Sequence, residues 1–313
     1  MPGARFKPAL ALLATAALIL WGTSAAAQNQ GQGMSNAQPR CGLVVESSGG
    51  DQWIIHHDPL ASSQAVKQFD LEVVNRGDGP CTGVASVDLR GDPFGLAKEG
   101  ETIRLPYSFV GEDGPIDLTP RTGQNQRRPE SRPFNLRPGE REILRFTFSV
   151  NVTDGLAAGL YSQTVYLGIT HPNGSPWAER PVTLGLHVSS TALIGLKGEF
   201  TRSGGVANIN LGALVEGDRS LNTTLYVLST SGYSISISSA NGGRLRQGQT
   251  EWYIPYSLGV GDRRIDLSRP SHLDVVSMRR RFDDYPLSVT IGSTADQRAG
   301  DYSDTVTFTV AAI

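Results

Sequence analysis

Cysteine is nearly absent from this chain of 313 residues, which contains only Cys41 and Cys81. No C-x-x-C spacing is present, so neither a redox pair nor a zinc knuckle is predicted. Net charge is missing as well: the formal charge is -2, and a chain so close to neutral is not expected to bind nucleic acid through general electrostatic attraction. No G-x-S-x-G or H-E-x-x-H motif occurs. We therefore predict no enzymatic activity and no cofactor.

Long apolar runs are also missing, and the one that stands out is short. Arg5 and Lys7 precede the apolar residues 9–21, and the letters TSAAAQ follow with an A-x-A cleavage site after Ala27. This order is typical of a secretory signal peptide rather than a membrane span, which needs about 20 apolar residues. We expect an exported, soluble protein. In an oxidising compartment Cys41 and Cys81 are expected to form a disulfide, the alternative being two free thiols.

Helical periodicity is missing too, whereas short segments of alternating apolar and polar residues are frequent, which predicts an all-β protein. Seven candidate strands precede residue 189: Gly42–Glu46, Lys67–Asn75, Gly83–Leu89, Thr102–Phe109, Glu142–Val150, Tyr161–Ile169 and Pro181–Val188. Seven more follow: Ala192–Lys197, Val206–Leu211, Leu221–Ser229, Ser234–Ser239, Trp252–Ser257, Pro286–Ile291 and Ser303–Val310. Short strands separated by Gly, Pro and Asn clusters are typical of immunoglobulin-like β-sandwiches.

The sequence contains an internal repeat. The letters LPYSFVGEDGPIDL begin at Leu105 and IPYSLGVGDRRIDL at Ile254, an offset of 254 − 105 = 149. AGLYSQTVYLGI begins at Ala158 and AGDYSDTVTFTV at Ala299, an offset of 299 − 158 = 141. Two matched blocks in the same order predict two tandem copies of one fold, over residues 41–188 and 189–313.

The two copies differ after their last matched block. In the first copy a loop, THPNGSPWAE, leads into one more alternating strand, whereas the second copy ends with that block. We therefore expect the second sandwich to lack its final strand. Four or five unfilled apolar sites, at about 1.5–3 kcal/mol each, rival the net stability of a domain, so a strand from another molecule is expected to fill the groove. The predicted groove residues are Val306, Phe308, Val310 and Ala312.

Three blocks of the second copy resemble the spore coat protein U-like domain of bacterial chaperone–usher systems: YSISISSANGGRL, IPYSLGVG and AGDYSDTVTFTV. The first copy carries weaker versions of the last two blocks. The resemblance implies an incomplete immunoglobulin-like fold, a periplasmic chaperone, an outer-membrane usher and assembly into surface fibres of the archaic type. One departure is that the cysteines usual in such domains are absent from the second copy.

The segment that follows the cleavage site indicates which kind of fibre subunit to expect. A shaft subunit donates an alternating apolar strand, but residues 28–40, QNQGQGMSNAQPR, contain one large apolar residue, Met34. A polar segment of this kind cannot fill a hydrophobic groove. We therefore predict a two-domain tip adhesin that accepts a strand from the adjacent subunit and donates none. Its expected route is through the periplasm to the cell surface, where it would mediate attachment or biofilm formation.

Two charged segments are assigned to the surface rather than to chemistry. DQWIIHHDP contains Asp51, His56, His57 and Asp58, but no second His-rich segment is present to complete a metal site, so a surface loop is favoured. A second stretch is either a solvated linker or a contact for anionic polysaccharide. Its arginines are Arg121, Arg127, Arg128, Arg132, Arg137 and Arg141.

Large apolar residues in loops are the candidate contact sites for a surface or receptor. GDPFGLAKEG places Phe94 and Leu96 among turn residues, THPNGSPWAE contains Pro176 and Trp177, and DQWIIHH contains Trp53. The alternative for each is packing into its own sandwich. The competing function is a secreted monomeric carbohydrate-binding protein, in which both sandwiches would be complete.

Overall fold

The structure is a computed structural model that describes residues 39–47, 49–60, 64–111, 116–120, 133–152 and 155–313. The predicted signal peptide (1–27), residues 28–38 of the polar segment and the arginines between positions 121 and 132 lie outside these ranges. Within them, β-strand is the only regular secondary structure, so the all-β prediction is confirmed. In the same ranges no helix has the length and hydrophobicity needed to cross a membrane.

Two sheets form the first sandwich, which contains twelve strands among the described residues. The strands are β1 (Leu43–Ser47), β2 (Gln52–His57), β3 (Val66–Asn75), β4 (Cys81–Asp88), β5 (Leu96–Ala97), β6 (Arg104–Leu105), β7 (Tyr107–Gly111), β8 (Ile116–Asp117), β9 (Phe134–Leu136), β10 (Arg141–Val150), β11 (Gly159–Thr170) and β12 (Pro176–Val188). One sheet has the order β1-β3-β10-β7-β8. The other has the order β2-β12-β11-β4-β9, with β5 paired to β11 and to β6.

The two sheets enclose one hydrophobic core, which alternate residues of each strand supply. The final strand expected for this copy is present as β12, paired antiparallel with β11 along one edge and parallel with β2 along the other. Its inward side chains are at most 1% exposed: Val182, Leu184, Leu186 and Val188. The first sandwich is therefore complete.

Twelve further strands among the described residues form the second sandwich. They are β13 (Ala192–Gly198), β14 (Thr201–Ser203), β15 (Val206–Asn208), β16 (Gly217–Ser229), β17 (Tyr233–Ser239), β18 (Arg244–Gln247), β19 (Tyr253–Val260), β20 (Arg263–Ile265), β21 (Ser271–Val275), β22 (Arg281–Ile291), β23 (Tyr302–Ser303) and β24 (Val306–Ala312). The larger sheet has the order β13-β16-β22-β19-β18-β23, with β20 on β19. The facing sheet has only three strands, β21-β17-β24, and β14 pairs with β15 as a separate hairpin.

The sequence repeat corresponds to repeated strand pairing. In the first block, β7 pairs with β8 and β10; in the second, β19 pairs with β20 and β22. Ser162 of β11 lies opposite Ala97, and Ser303 of β23 lies opposite Arg246. These pairs obey the sequence offsets, since 303 − 162 = 141 and 246 − 97 = 149. The two sandwiches are therefore copies of one fold, and residues can be matched between them by these offsets.

One assignment from the sequence is wrong, and one predicted strand is shorter than expected. DQWIIHH is not a surface loop, because residues 52–57 form β2, with Trp53, Ile55 and His57 buried. Its alternation is hidden in the sequence because the outward position 54 is apolar and the inward position 57 is polar. The single strand predicted over residues 206–211 is instead the second arm of the β14–β15 hairpin, which turns through Gly204 and Gly205 at φ of 56° and 82°.

The predicted disulfide between Cys41 and Cys81 is present. It ties the segment before β1 to the first residue of β4, and so links the two sheets at the end of the sandwich away from β13. The buried side chain of Asn75 stabilises the adjoining turn, because its amide donates to the carbonyls of Gly79 and Leu136 at 2.8 and 3.1 Å. Its carbonyl oxygen accepts a hydrogen bond from the Gly77 amide at 2.9 Å.

Only three residues, 189–191, separate β12 from β13, and Thr230 holds them. Its hydroxyl donates to the Ser189 carbonyl at 3.0 Å and accepts from the Thr191 amide at 2.9 Å. Its backbone amide donates to the Thr191 carbonyl at 3.0 Å, and its carbonyl accepts from the Ala158 amide at 2.8 Å. The connection between the sandwiches is therefore short and hydrogen-bonded on both sides.

Candidate strand-acceptor groove

Strand β24 is an edge strand in the described part of the chain. It pairs antiparallel with β17 from Val306 to Ala312, and its other edge has no partner among these residues. Its inward positions are half-buried and its outward ones exposed. The inward apolar residues Val306, Phe308 and Val310 pack against the second core without being enclosed by it.

The matching strand of the first sandwich, β11, has a neighbouring strand on both edges, and its inward side chains are fully buried. By the offset of 141, the residues that match Val306, Phe308 and Val310 are Val165, Leu167 and Ile169. Strand β11 lies between β4 and β12, and those three side chains are at most 1% exposed. The half-buried state of β24 is therefore the local result of having a neighbour on one edge only.

The candidate groove would be bounded on its other side by β13, the edge strand of the larger sheet. β13 pairs only with β16 among the described residues and approaches β24 to within 8 Å, Cα to Cα, without a backbone ladder between them. Ile194 and Leu196 of β13 are half-buried against the second core. Both edge strands thus contribute half-buried apolar side chains to the second core, and β24 has one edge of backbone donors and acceptors without a strand partner among the described residues.

The hairpin strand β14 begins at the position that β2 has in the first sandwich. β2 begins at Gln52 and β14 at Thr201, and 201 − 52 = 149, the offset of the first repeat block. β2 lies beside β12 on the edge that faces away from β11. By this match, a strand placed against β24 would have β14 as its second neighbour.

Asp304, two residues before β24, fixes the start of that strand. Its Oδ2 accepts hydrogen bonds from the hydroxyls of Ser239 and Tyr256 at 2.5 and 2.7 Å, and its Oδ1 accepts from the backbone amide of Asn241 at 3.0 Å. Burial raises the pKa of Tyr256, with a further contribution from its bond to Asp304. The matching pair in the first sandwich, Tyr107 and Gln163, is joined by the same bond at 3.1 Å.

We predict that Asp304→Asn lowers the free energy of unfolding of the second sandwich by about 1–3 kcal/mol. The substitution replaces one of the two accepting oxygens with an amide nitrogen, so either the two hydroxyls or the backbone amide of Asn241 lose their acceptor. Chemical denaturation followed by circular dichroism measures this. Asp301→Asn is the matched control, since Asp301 is exposed three positions away. Equal effects of the two substitutions would contradict the role of Asp304.

A polar cluster lies at the opposite end of β24, where Tyr233 is the register partner of Ala312. The Tyr233 hydroxyl is 2.6 Å from Asp283 and 2.5 Å from the Tyr285 hydroxyl, and Arg281 binds both oxygens of Asp283 at 2.6 and 2.7 Å. The Arg281 guanidinium holds the pKa of Asp283 below its usual value, and burial raises the pKa of Tyr233. The cluster ties β17 to β22, so the two sheets are joined at this end.

Two of the predicted contact residues are core residues instead. Trp53 is 1% exposed on β2, and Leu96 is fully buried in β5. Leu96 is enclosed because β5 pairs with β11 and β6, so the segment read as a loop is part of the sheet. For both residues the alternative, packing into the sandwich, is the correct one.

The other predicted contact residues are only partly accessible and lie at two ends of the sandwich. Phe94 is half-buried against Tyr107, ring centroids 4.8 Å apart, at the end where the chain passes into β13. Trp177 is half-buried and stacks on His171 at 3.8 Å, beside exposed Pro176, at the opposite end. Phe94 and Trp177 therefore cannot form one contact surface.

The histidines of β2 face opposite ways. His56 is exposed and lies 5.2 Å, ring to ring, from His187 of β12, whereas His57 is buried. Across the described ranges, no three His, Cys, Asp or Glu side chains are grouped to hold a metal ion. In the arginine-rich stretch, Arg137 and Arg141 are exposed, and Arg141 pairs with Glu72 at 3.2 Å.

No protein-family model matches the chain, and no curated protein matches it. Solved structures of similar fold include the chaperone–tip adhesin pre-assembly complex of the archaic Csu pili of Acinetobacter baumannii (13% identity, 85% of this chain and 99% of that chain, TM-score 0.44). Others are the CupB6 tip adhesin of Pseudomonas aeruginosa (13%, 86% and 93%, 0.37) and the CooA pilin of enterotoxigenic Escherichia coli (14%, 47% and 99%, 0.33).

Proposed function

We propose that this chain is an adhesive subunit of a surface fibre and that its second sandwich is completed by a strand from another polypeptide. The observation that carries the proposal is the open edge of β24, with half-buried Val306, Phe308 and Val310, beside a first sandwich in which the matching edge is filled by β12. An exposed strand edge next to apolar side chains invites pairing with another strand. Donor-strand complementation satisfies that edge and fills the groove at once.

The proposed partners are those that would cover the exposed edge of β24 after export and during assembly. A periplasmic chaperone would supply the strand after export, and the adjacent fibre subunit would replace it during assembly at an outer-membrane usher. The limits proposed for the two domains are residues 41–188 and 189–313. The complete first sandwich would carry the adhesive surface. A polar segment at residues 28–40, with nothing to donate, favours a position at the fibre tip.

A secreted monomeric carbohydrate-binding protein is the weaker candidate for the whole chain. Such a protein gains nothing from an edge that promotes association, because unpaired strand edges are an aggregation hazard. The two proposals differ in whether an added strand binds to β24.

Disulfide trapping tests strand acceptance. In the first sandwich Thr183 of β12 lies opposite Thr164 of β11 and Gln52 of β2, and the matching positions of the second sandwich are Thr305 and Thr201. We expect a peptide with the sequence of residues 180–189, carrying Thr183→Cys, to link to the full chain bearing Thr305→Cys and, in a separate variant, Thr201→Cys. Paired strands hold Cα atoms within the 4.4–6.8 Å that a disulfide spans. The chain has no free cysteine to interfere.

Two control variants make the result specific. Ser268→Cys lies on the surface away from β24, and Val206→Cys lies on β15, the hairpin strand on the far side of β14. Mass spectrometry after mild oxidation measures the linked fraction. Linking at Ser268→Cys as fast as at Thr305→Cys would refute strand acceptance. Linking at Thr305→Cys and Val206→Cys, but not at Thr201→Cys, would retain the groove and reject β14 as its second neighbour.

A further inference from the structure

We propose that His56 and His187 bind a zinc ion on the outer face of the first sandwich, where the ion links strand β2 to strand β12. Both side chains are exposed, and their ring centroids are 5.2 Å apart. Imidazole nitrogen is a preferred ligand of Zn²⁺. The proposal concerns the first sandwich alone, so it stands or falls separately from strand acceptance by the second.

The parallel pairing of β2 with β12 brings the two histidines together, although they are 187 − 56 = 131 positions apart. They are register partners on adjacent strands, so their side chains project from the same face of the sheet. The next residue, His57, points into the sandwich and is buried. The HH dipeptide therefore supplies one ligand to this face, and the second comes from a distant strand rather than from a second His-rich segment.

The separation of the two rings agrees with chelation of one tetrahedral ion. With a Zn–N distance of about 2.0–2.1 Å, an imidazole centroid lies about 3.2 Å from the metal. Two imidazoles at the tetrahedral angle then have centroids about 5.2 Å apart, whereas two at a right angle have centroids about 4.5 Å apart. The observed rings are inclined by 53° rather than stacked face to face. Rotation of these exposed side chains can direct one nitrogen of each ring at a common ion.

The surroundings of the pair leave its nitrogens free for a metal. Among the described residues, no hydrogen bond or ion pair involves either imidazole. Two outward apolar side chains lie beside them, since the terminal methyl groups of Ile54 and Leu160 both cover Gly185, two positions before His187. An apolar flank of this kind limits the access of water to one side of a bound ion.

The proposed ion would hold an edge strand in place. Among the described residues β2 pairs with β12 only, and an ion bound by both strands adds a second link between them. Only the folded chain brings the two ligands together, so zinc stabilises the folded first sandwich by mass action. No third His, Cys, Asp or Glu side chain joins the pair within the described ranges. Water completes the coordination, and the site fills and empties with the zinc concentration outside the protein.

The test is a calorimetric titration of the full chain, without an affinity tag, with zinc chloride. One zinc ion per chain is expected to bind saturably with a Kd in the micromolar range. His56→Asn and His187→Asn should each weaken this binding at least about tenfold, because the second imidazole otherwise binds intramolecularly. Zinc at about 100 times the Kd should raise the melting temperature of the first sandwich by at least about 5 °C. Mg²⁺ at the same concentration should not, since it prefers oxygen ligands.

His272→Asn is the matched control, because His272 is also an exposed strand histidine but lies on β21 of the second sandwich, where it bonds to the Ser236 hydroxyl at 3.0 Å. Thermal melts without zinc confirm that all variants remain folded.

Nuclear magnetic resonance of ¹⁵N-labelled histidine shows which rings bind the ion. The signals of His56 and His187, assigned by their loss in the two variants, should shift together and saturate at one equivalent of zinc. A shift of one signal without the other overturns the proposal. Absence of saturable binding also overturns it, as does an equal loss of affinity with His272→Asn or full affinity in either His56→Asn or His187→Asn.

Discussion

A second copy of residues 173–188 joined directly after Ile313 is expected to raise the unfolding temperature of the second sandwich by at least about 10 °C. Residues 171–175 join β11 to β12 in the first sandwich, and Ala312 matches His171, since 312 − 171 = 141, so the added segment has the right length to fold back along β24. Each inward Val or Leu contributes about 1.5–3 kcal/mol on burial, before the entropy of ordering the strand. A net gain of roughly 3 kcal/mol produces a shift of this size.

Differential scanning calorimetry of the full chain with and without the added strand measures the shift. The control is the same extension with Leu184→Asp and Leu186→Asp in the added copy, which keeps the turn and the backbone but cannot fill an apolar groove. An unchanged second transition, or an equal rise with the control, would show that the sandwich needs no further strand. In that event the proposed fibre function would fail with it.

Removing the disulfide by Cys41→Ala and Cys81→Ala is expected to lower the free energy of unfolding of the first sandwich by about 4 kcal/mol. The two cysteines are 40 positions apart, and closing a loop of that size restricts the unfolded chain by about this amount in the chain-entropy model. The native packing changes little, because Cys81 is replaced by a smaller apolar residue. Urea denaturation of the wild type and the double variant gives the difference.

Reduction of the wild type with a thiol reagent should reproduce the destabilisation without any substitution. The second sandwich, which contains no cysteine, provides the internal control, and its transition should not move. A loss below about 1 kcal/mol, or an equal loss in both sandwiches, would contradict the local role of this bond.

The features that the sequence predicted are those that depend on alternation and repetition. Strands such as β11 and β24 carry apolar residues at every second position. The sequence blocks that contain them match, and so does the strand pairing at the start of each block. The alignment of the two copies also indicates which edge of β24 to compare with β11, because it needs no knowledge of side-chain packing.

The features that the sequence did not predict depend on which strands pair next to a residue in the folded protein. Trp53 and Leu96 are buried because short strands pair beside them, and a stretch of two residues such as β5 has no periodicity to detect. β2 combines an apolar outward Ile54 with a polar inward His57, so its pattern does not alternate.

The short connection between the sandwiches has a mechanical consequence. A force applied between the two sandwiches acts along the chain from β12 to β13, which only residues 189–191 separate. Thr230 forms hydrogen bonds with Ser189 and Thr191 in this connection. Extended residues span at most about 3.3–3.6 Å each, so the connection has roughly 10 Å of length and almost no slack. Tension therefore reaches the seven-residue ladder between β13 and β16 directly.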